Sequence, residues 1–288
     1  MKGKVVALSY GVYSVESDGV IYNAPARGLF RKQGIKPMVG DDVEISEETL
    51  VIQHVYDRRT YLKRPPIANI DQMLIIESLK EPEFSYLLAF KYLTYANMNN
   101  VNAKIILTKA DIEDDKNAIK EIVDTFKRMN IEVYVTSNKT KEGVEEVKKL
   151  FRNRISCLIG QSGVGKSSLI NSIDPDFERS VGEYSYALGR GKHLTKEVIL
   201  LPYEGGYIAD TPGFSSLDLE LYKEDLAQFF PGFAELFTDC YFSNCLHISE
   251  NRCAVKQKVE DGSYPEIAYH NYLKLSEESI FKSRRFER

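Results

Sequence analysis

Over residues 1–62 the apolar positions come in short runs broken by turn residues: KVVALSYGVYSVES, a turn at Asp18-Gly19, VIYNAPARG, then GDDVEIS and TLVIQHVYD. Closely spaced short strands with no long helical repeat predict a small barrel. RRTYLKRPP follows as a linker, and Pro65-Pro66 is expected to end any regular element there. Beyond the prolines, buried-strand runs alternate with helical patterns. QMLIIESL, AKIILTKAD, IEVYVTSNK and ISCLIG read as strands; FSYLLAFKYLTYANM, KNAIKEIVDTFKRMN, EGVEEVKKLFR and SSLINSI read as helices. Ile119, Ile122, Val123 and Phe126 share one face of the second of these helices. The alternation predicts an α/β domain with a mostly parallel, doubly wound sheet. EVILLPYEGGYIADTPG reads as a hairpin, and from about residue 216 the chain is expected to be helical and loop-like, ending in a basic helix.

Composition narrows the picture. With 28% charged residues, 43% hydrophobic residues and no apolar run long enough to cross a membrane, the chain reads as a globular protein. Its N-terminal stretch lacks a secretory pattern, so a cytoplasmic location is expected. The net charge of −4 excludes a globally basic nucleic-acid binder, so any RNA contact must come from local patches. Three of the four cysteines crowd around His247, while Cys157 stands alone in an apolar strand.

Residues 160–167 fit G-x-x-x-x-G-K-[ST] between a strand and a helix start. Small residues let backbone N–H groups wrap phosphates at the positive end of a helix. Gly160, Gln161, Ser162, Gly163, Val164, Gly165, Lys166, Ser167 and Ser168 are therefore nucleotide-binding candidates. Lys166 would reach the β- and γ-phosphates and Ser167 would bind Mg²⁺. In IADTPGF, Asp210 is placed to bind Mg²⁺ through water, and Gly213 offers an N–H to the γ-phosphate. Between them LGRGKHLT reads as a switch segment, with Thr195 as a second hydroxyl for Mg²⁺.

The loop alone does not separate GTP from ATP; TKAD does. Asp111 would accept from the guanine ring N–H and exocyclic amine, with the Lys109 stem over the base and Thr108 opening the loop. The backbone beside Ser137 and Asn138 could contact the guanine oxygen. These base loops precede the phosphate loop, the reverse of the usual order. Joining the old termini and opening the chain elsewhere preserves such a site, so the order reads as a circularly permuted P-loop GTPase domain binding GTP or GDP with Mg²⁺.

Cys240-x4-Cys245-x-His247-x5-Cys253 offers three thiolates and an imidazole, a donor set suited to tetrahedral structural Zn²⁺. The barrel in front, NIDQ, GQSGVGKSSLIN, GRGKHLT, DTPGF and this cluster together resemble the RsgA family (YjeQ and YloQ), GTPases dependent on the small ribosomal subunit. The resemblance spans nearly the whole chain. It implies an N-terminal OB-type barrel over 1–63, a permuted GTPase domain over 64–216 and a zinc-binding helical domain over 217–288. It also implies one structural Zn²⁺, a monomer, and small-subunit rRNA as partner in late maturation. Two positions depart from the usual patterns: Thr108 stands where many GTPases have Asn, and Leu194 replaces the first Thr of the family's His-Thr-Thr.

Phe214 occupies the position where Ras-like enzymes place a water-orienting Gln and cannot bond water. The resemblance suggests His193 for that catalytic role; contact with RNA is the competing reading. Arg27, Arg31, Lys32 and Lys36 around Phe30 suit RNA phosphates and an unstacked base, or form a solvated loop over a core Phe. Arg58, Arg59, Lys63 and Arg64, and the tail FKSRRFER, carry the same two readings. Two rival functions stand beside the GTPase: an RNA-binding module clamped by nucleotide, and an ATPase, against which Asp111 argues.

Overall fold

The computed structural model describes residues 1–9, 11–177, 179, 198–210 and 223–278. The described chain forms two compact units. One holds 1–73, 144–158 and the described part of 166–214; the other holds 74–143, 159–165 and the rest from 223.

In the first unit, β1 (Lys2–Ser9) pairs antiparallel with β2 (Val12–Ser17) and β4 (Asp42–Ile45); β2 pairs with β3 (Val20–Pro25) and β4 with β5 (Ile52–Val55). A parallel bridge between Ala26 and Ile52 completes the ring. Val5, Tyr13, Val15, Ala24, Val43, Ile45 and Ile52 fill its centre, because alternate residues of each strand point inward. The short helix α1 (Gly28–Lys32) adds Phe30 to this core. The result is the expected OB-like barrel. Phe30 is 6% exposed, so it caps the barrel and is not free to stack on a base.

The linker is more ordered than its prolines suggest. β6 (Tyr61–Lys63) and β7 (Pro66–Ala68) form a hairpin in which Lys63 faces Pro66. Proline is tolerated there because it opens a strand in a two-stranded ribbon, where its missing N–H costs no ladder bond. The Arg58 guanidinium grips the buried Asp41 carboxylate at 2.7 and 2.8 Å and also donates to the Lys36 carbonyl. Arg59 pairs with Asp71 at 2.8 Å. These two linker cations are thus engaged within the fold.

NIDQ joins the barrel to the strands that follow. Asn69 donates to the Gly40 carbonyl and accepts from the Arg59 N–H, while Asp71 accepts from the Ile155 N–H at 2.8 Å. The wholly buried Gln72 donates to the Leu150 carbonyl and to Ser156 Oγ. Ile155 opens β11 (Ile155–Ile159), which runs parallel to β13 (Gly206–Asp210); β13 forms the expected hairpin with β12 (Ile199–Tyr203), and Ile199 meets Ala7 of β1. Helices α4 (Val144–Leu150) and α5 (Lys166–Ile173) belong to this unit.

The second unit carries strands in the order β10 (Val133–Val135), β9 (Asn102–Thr108), β8 (Gln72–Ser78, whose first two residues lie in the other unit). β9 and β10 are parallel, as the crossover through α3 (Lys116–Lys127) demands. Ser85 caps α2 (Tyr86–Met98) by accepting from the Leu88 N–H, and Asp115 caps α3 from the N–H groups of Asn117 and Ala118. The helix read from Phe84 therefore begins two residues later.

The C-terminal part contains α6 (Lys223–Phe229), α7 (Phe233–Phe237), α8 (Ala254–Glu260) and α9 (Glu266–Glu278). Phe90 of α2 meets Phe230 with ring centres 5.2 Å apart, and Asn97 donates to the Phe229 carbonyl. Apolar rings thus dock this region on α2. Among the described residues no helix is long and apolar enough to cross a membrane.

Candidate nucleotide site and Cys/His metal centre

The phosphate loop follows β11 and leads into α5, the strand-loop-helix context its sequence requires. An ideal Cβ on Gly160 would lie 2.2 Å from the Ile76 carbonyl oxygen, so only glycine lets the loop pass β8 this closely. Gly165, at φ +96°, needs the same freedom and lies beside Thr108 and Asn138. Val164 is fully buried beneath the loop, whereas Ser162, Gly163, Ser167 and Ser168 are exposed and Gln161, Gly165 and Lys166 half-buried. Ser162, Ser167 and Ser168 are therefore open to solvent.

TKAD lies at the end of β9, against this loop. The buried Thr108 hydroxyl is within bonding distance of two carbonyl oxygens, Val164 at 2.5 Å and Glu77 at 3.3 Å. Lys109 adopts φ +60°, and its ammonium donates to the Glu81 carbonyl in the turn after β8. Asp111 is exposed, and Ser137 Oγ donates to its Oδ1 at 2.7 Å. That bond, with help from Lys139, holds the Asp111 carboxyl below its ordinary range. Ser137 also accepts from the Thr140 N–H, which fixes the loop after β10. So the structure brings Thr108, Lys109, Asp111, Ser137, Asn138 and Gly160–Gly165 together within one unit.

Other expected site residues are less fully placed. Asp210 ends β13, paired with Ile199, with its backbone alone described. His193, Leu194, Thr195, Gly213, Phe214 and the tail FKSRRFER lie outside the described residues. In the barrel Arg27, Lys32 and Lys36 are exposed, while the Arg31 side chain is not described. The contribution of Glu81 was missed from the sequence, because a backbone carbonyl in KEPEFS leaves no side-chain signature.

The second constellation is a Cys/His cluster that could hold a metal ion. Cys240 Sγ lies 3.6 Å from His247 Nδ1, Cys253 Sγ lies 3.2 Å from it, and the two sulfurs are 4.0 Å apart. With Cys245 included, all four donor atoms fall within 4.8 Å of one another. Metal–sulfur bonds of about 2.3 Å give tetrahedral edges of roughly 3.8 Å, so the residues fit one four-coordinate ion. Burial pushes the Cys245 thiol up to about 12 and lowers His247. A neutral imidazole is the form a metal takes.

The surrounding chain orients the donors. Tyr269 donates to the His247 carbonyl at 2.7 Å and Tyr272 to the Leu246 carbonyl. The Glu250 carboxylate accepts from the N–H groups of Leu246, Ile248 and Ser249. Phe233 packs edge-on against the His247 ring at 5.0 Å. By contrast Cys157 is wholly buried in β11, its thiol also pushed up to about 12, as expected for a strand core residue.

A phosphate loop tied to the TKAD loop, which precedes it in the chain, defines the class: a circularly permuted P-loop GTPase, fronted by an OB-like barrel and followed by a Cys/His cluster. Residues 55–220 match the RsgA GTPase family and residues 2–50 the RsgA N-terminal domain. The chain belongs to the RsgA family.

Relatives agree over the full length. The "Small ribosomal subunit biogenesis GTPase RsgA" of Geobacillus sp. (strain WCH70) is 41% identical over 96% of this chain and 97% of its own. That of Streptococcus pneumoniae serotype 4 is 40% identical over 96% and 94%. Among solved structures, YjeQ from Thermotoga maritima superposes with a TM-score of 0.83 at 34% identity, covering 96% of this chain and 97% of that one. YloQ, described as a circularly permuted GTPase, gives 0.80 at 33%, covering 96% and 94%.

Proposed function

We propose that this protein hydrolyses GTP on the small ribosomal subunit during the subunit's late maturation, and then departs. The observation that carries the nucleotide half is the Thr108 bond to Val164, which joins the base loop to the phosphate loop. The subunit half is supported by the names of the relatives, all small-subunit biogenesis GTPases. Three functional domains follow, 1–63 for RNA, 64–216 for GTP and 217–288 around the metal.

In this reading Asp111 selects guanine, Lys109 leaves the Glu81 carbonyl to lie over the base, and Ser137 and Asn138 present backbone to the guanine oxygen. Residues Gly160–Ser168 wrap the phosphates. Ser167, Thr195 and Asp210 would hold Mg²⁺, which neutralises charge on the phosphates. His193 positions the attacking water, a task Phe214 cannot perform. The Cys/His cluster holds one structural Zn²⁺, whose closed set of donors leaves no site for substrate. Arg27, Arg31, Lys32 and Lys36 face rRNA. The protein works as a cytoplasmic monomer.

The test is GTP turnover by the pure protein with small subunits, with large subunits and alone. Stimulation by small subunits only, lost in His193→Ala while GTP still binds, is the expected result. Tight GTP binding without stimulation would instead make the protein a nucleotide-clamped RNA-binding module.

A further inference from the structure

The Cys/His loop carries exposed aromatic surface that metal binding does not require. Tyr241 is 64% exposed and Phe242 44%, with ring centres 4.9 Å apart and planes nearly perpendicular. Arg252 places its guanidinium 4.9 Å from the centre of the Tyr241 ring. Two adjacent exposed rings beside a guanidinium make an aromatic surface suited to a planar partner.

The geometry is held on both sides. Tyr241 directly follows Cys240 and Arg252 directly precedes Cys253, so two metal donors anchor the pair. The Tyr241 N–H donates to the Arg252 carbonyl at 3.2 Å, and Arg252 sits at φ +56°, a conformation disfavoured for a side chain of its size. Charge selects the occupant further. Between Cys240 and Cys253 the one carboxylate, Glu250, is turned onto three backbone N–H groups, which leaves Arg252 as the outward charge.

We propose that Tyr241, Phe242 and Arg252 form a stacking platform for an unpaired base of the small subunit's RNA, with Arg252 also meeting a backbone phosphate. Splayed bases are recognised by aromatic faces and guanidinium planes, and a pre-ordered guanidinium–ring pair loses little entropy on binding. The proposal rests on the small-subunit reading above. It assigns RNA contact to a loop whose cysteines and histidine serve only the metal.

The experiment measures affinity of the metal-loaded full chain for purified small subunits, and maps ultraviolet-induced cross-links by mass spectrometry. Tyr241→Ala is expected to weaken binding about tenfold, Tyr241→Phe to bind as wild type, and Arg252→Lys to lie between. One zinc per chain in each variant shows that the loop is intact. In the wild type a nucleotide should be cross-linked to the peptide holding Tyr241 and Phe242, a readout independent of any variant. Wild-type affinity in Tyr241→Ala, or cross-links from this peptide to a ribosomal protein and not to RNA, would overturn the platform while leaving the GTPase reading in place. Failure of the wild type to bind small subunits would overturn both.

Discussion

The Thr108 hydroxyl donates to the Val164 carbonyl oxygen at 2.5 Å, inside the protein and across 56 residues of sequence. It is a tether between two loops. Thr108→Val keeps the shape and removes the donor, leaving a buried carbonyl short of a partner at a cost of about 1–3 kcal/mol. The expected outcome is a melting temperature several degrees lower, with GTP and GDP affinities reduced by the same factor. A change in guanine selectivity alone, measured by nucleotide competition, would contradict the tether.

Asp111 is the residue that should set selectivity. Asp111→Asn presents an amide donor to the guanine amine, and GTP affinity should fall at least about a hundredfold while xanthosine triphosphate binding improves. Titration calorimetry with both nucleotides decides this.

The Ser137 bond gives that site a pH signature. Because it lowers the Asp111 pKa, the carboxylate persists to lower pH than an ordinary Asp. GTP affinity should hold from neutral pH downward and fall only as pH drops through that lowered value. In Ser137→Ala the fall should begin at higher pH. Identical profiles for the two proteins, followed with a fluorescent GDP, would remove Ser137 from the role.

Arg58 and Asp41 make a structural prediction where a basic patch invited a functional one. The Asp41 side chain is wholly buried and Arg58 is 28% exposed, so Arg58→Ala leaves a carboxylate stranded against the barrel. With the discount for partial exposure the loss should be about 2 kcal/mol, read as a lower urea midpoint. Small-subunit affinity should change little under conditions where the variant remains folded.

Metal removal makes the last prediction. A chelator strong enough to strip zinc should increase hydrogen exchange from Cys240 to Tyr272, since the loop's own bonds hang on four donor positions. Exchange in the barrel strands β1 to β5 should stay as it was.

Much of this protein was legible from pattern. Period-two runs marked the barrel strands, the βα alternation marked the parallel sheet, and invariant spacing rules of phosphate binding marked Gly160–Ser167. These signals are local: a strand's alternation or a loop's glycines are written within a few consecutive residues. The gathering of Cys240, Cys245, His247 and Cys253 was also readable, because side chains able to hold a metal come from a small set. Phe30 and the linker arginines were not. An aromatic among cations reads alike whether it faces RNA or a core, and only the barrel around Phe30 separates the two.

The sequence by itself therefore determined the chemistry on offer, the Asp111 carboxylate of TKAD, a phosphate loop and a Cys/His set that could hold a metal, since each depends on residue type at short spacing. The tertiary structure decided which groups are already engaged: Thr108 on Val164, Arg58 on Asp41, Lys109 on Glu81, Gln72 on Leu150 and Ser156. Partners separated by 17 to 84 residues leave no periodic trace. Their pairing is set by which strands lie side by side and by the cost of burying a polar group without a partner.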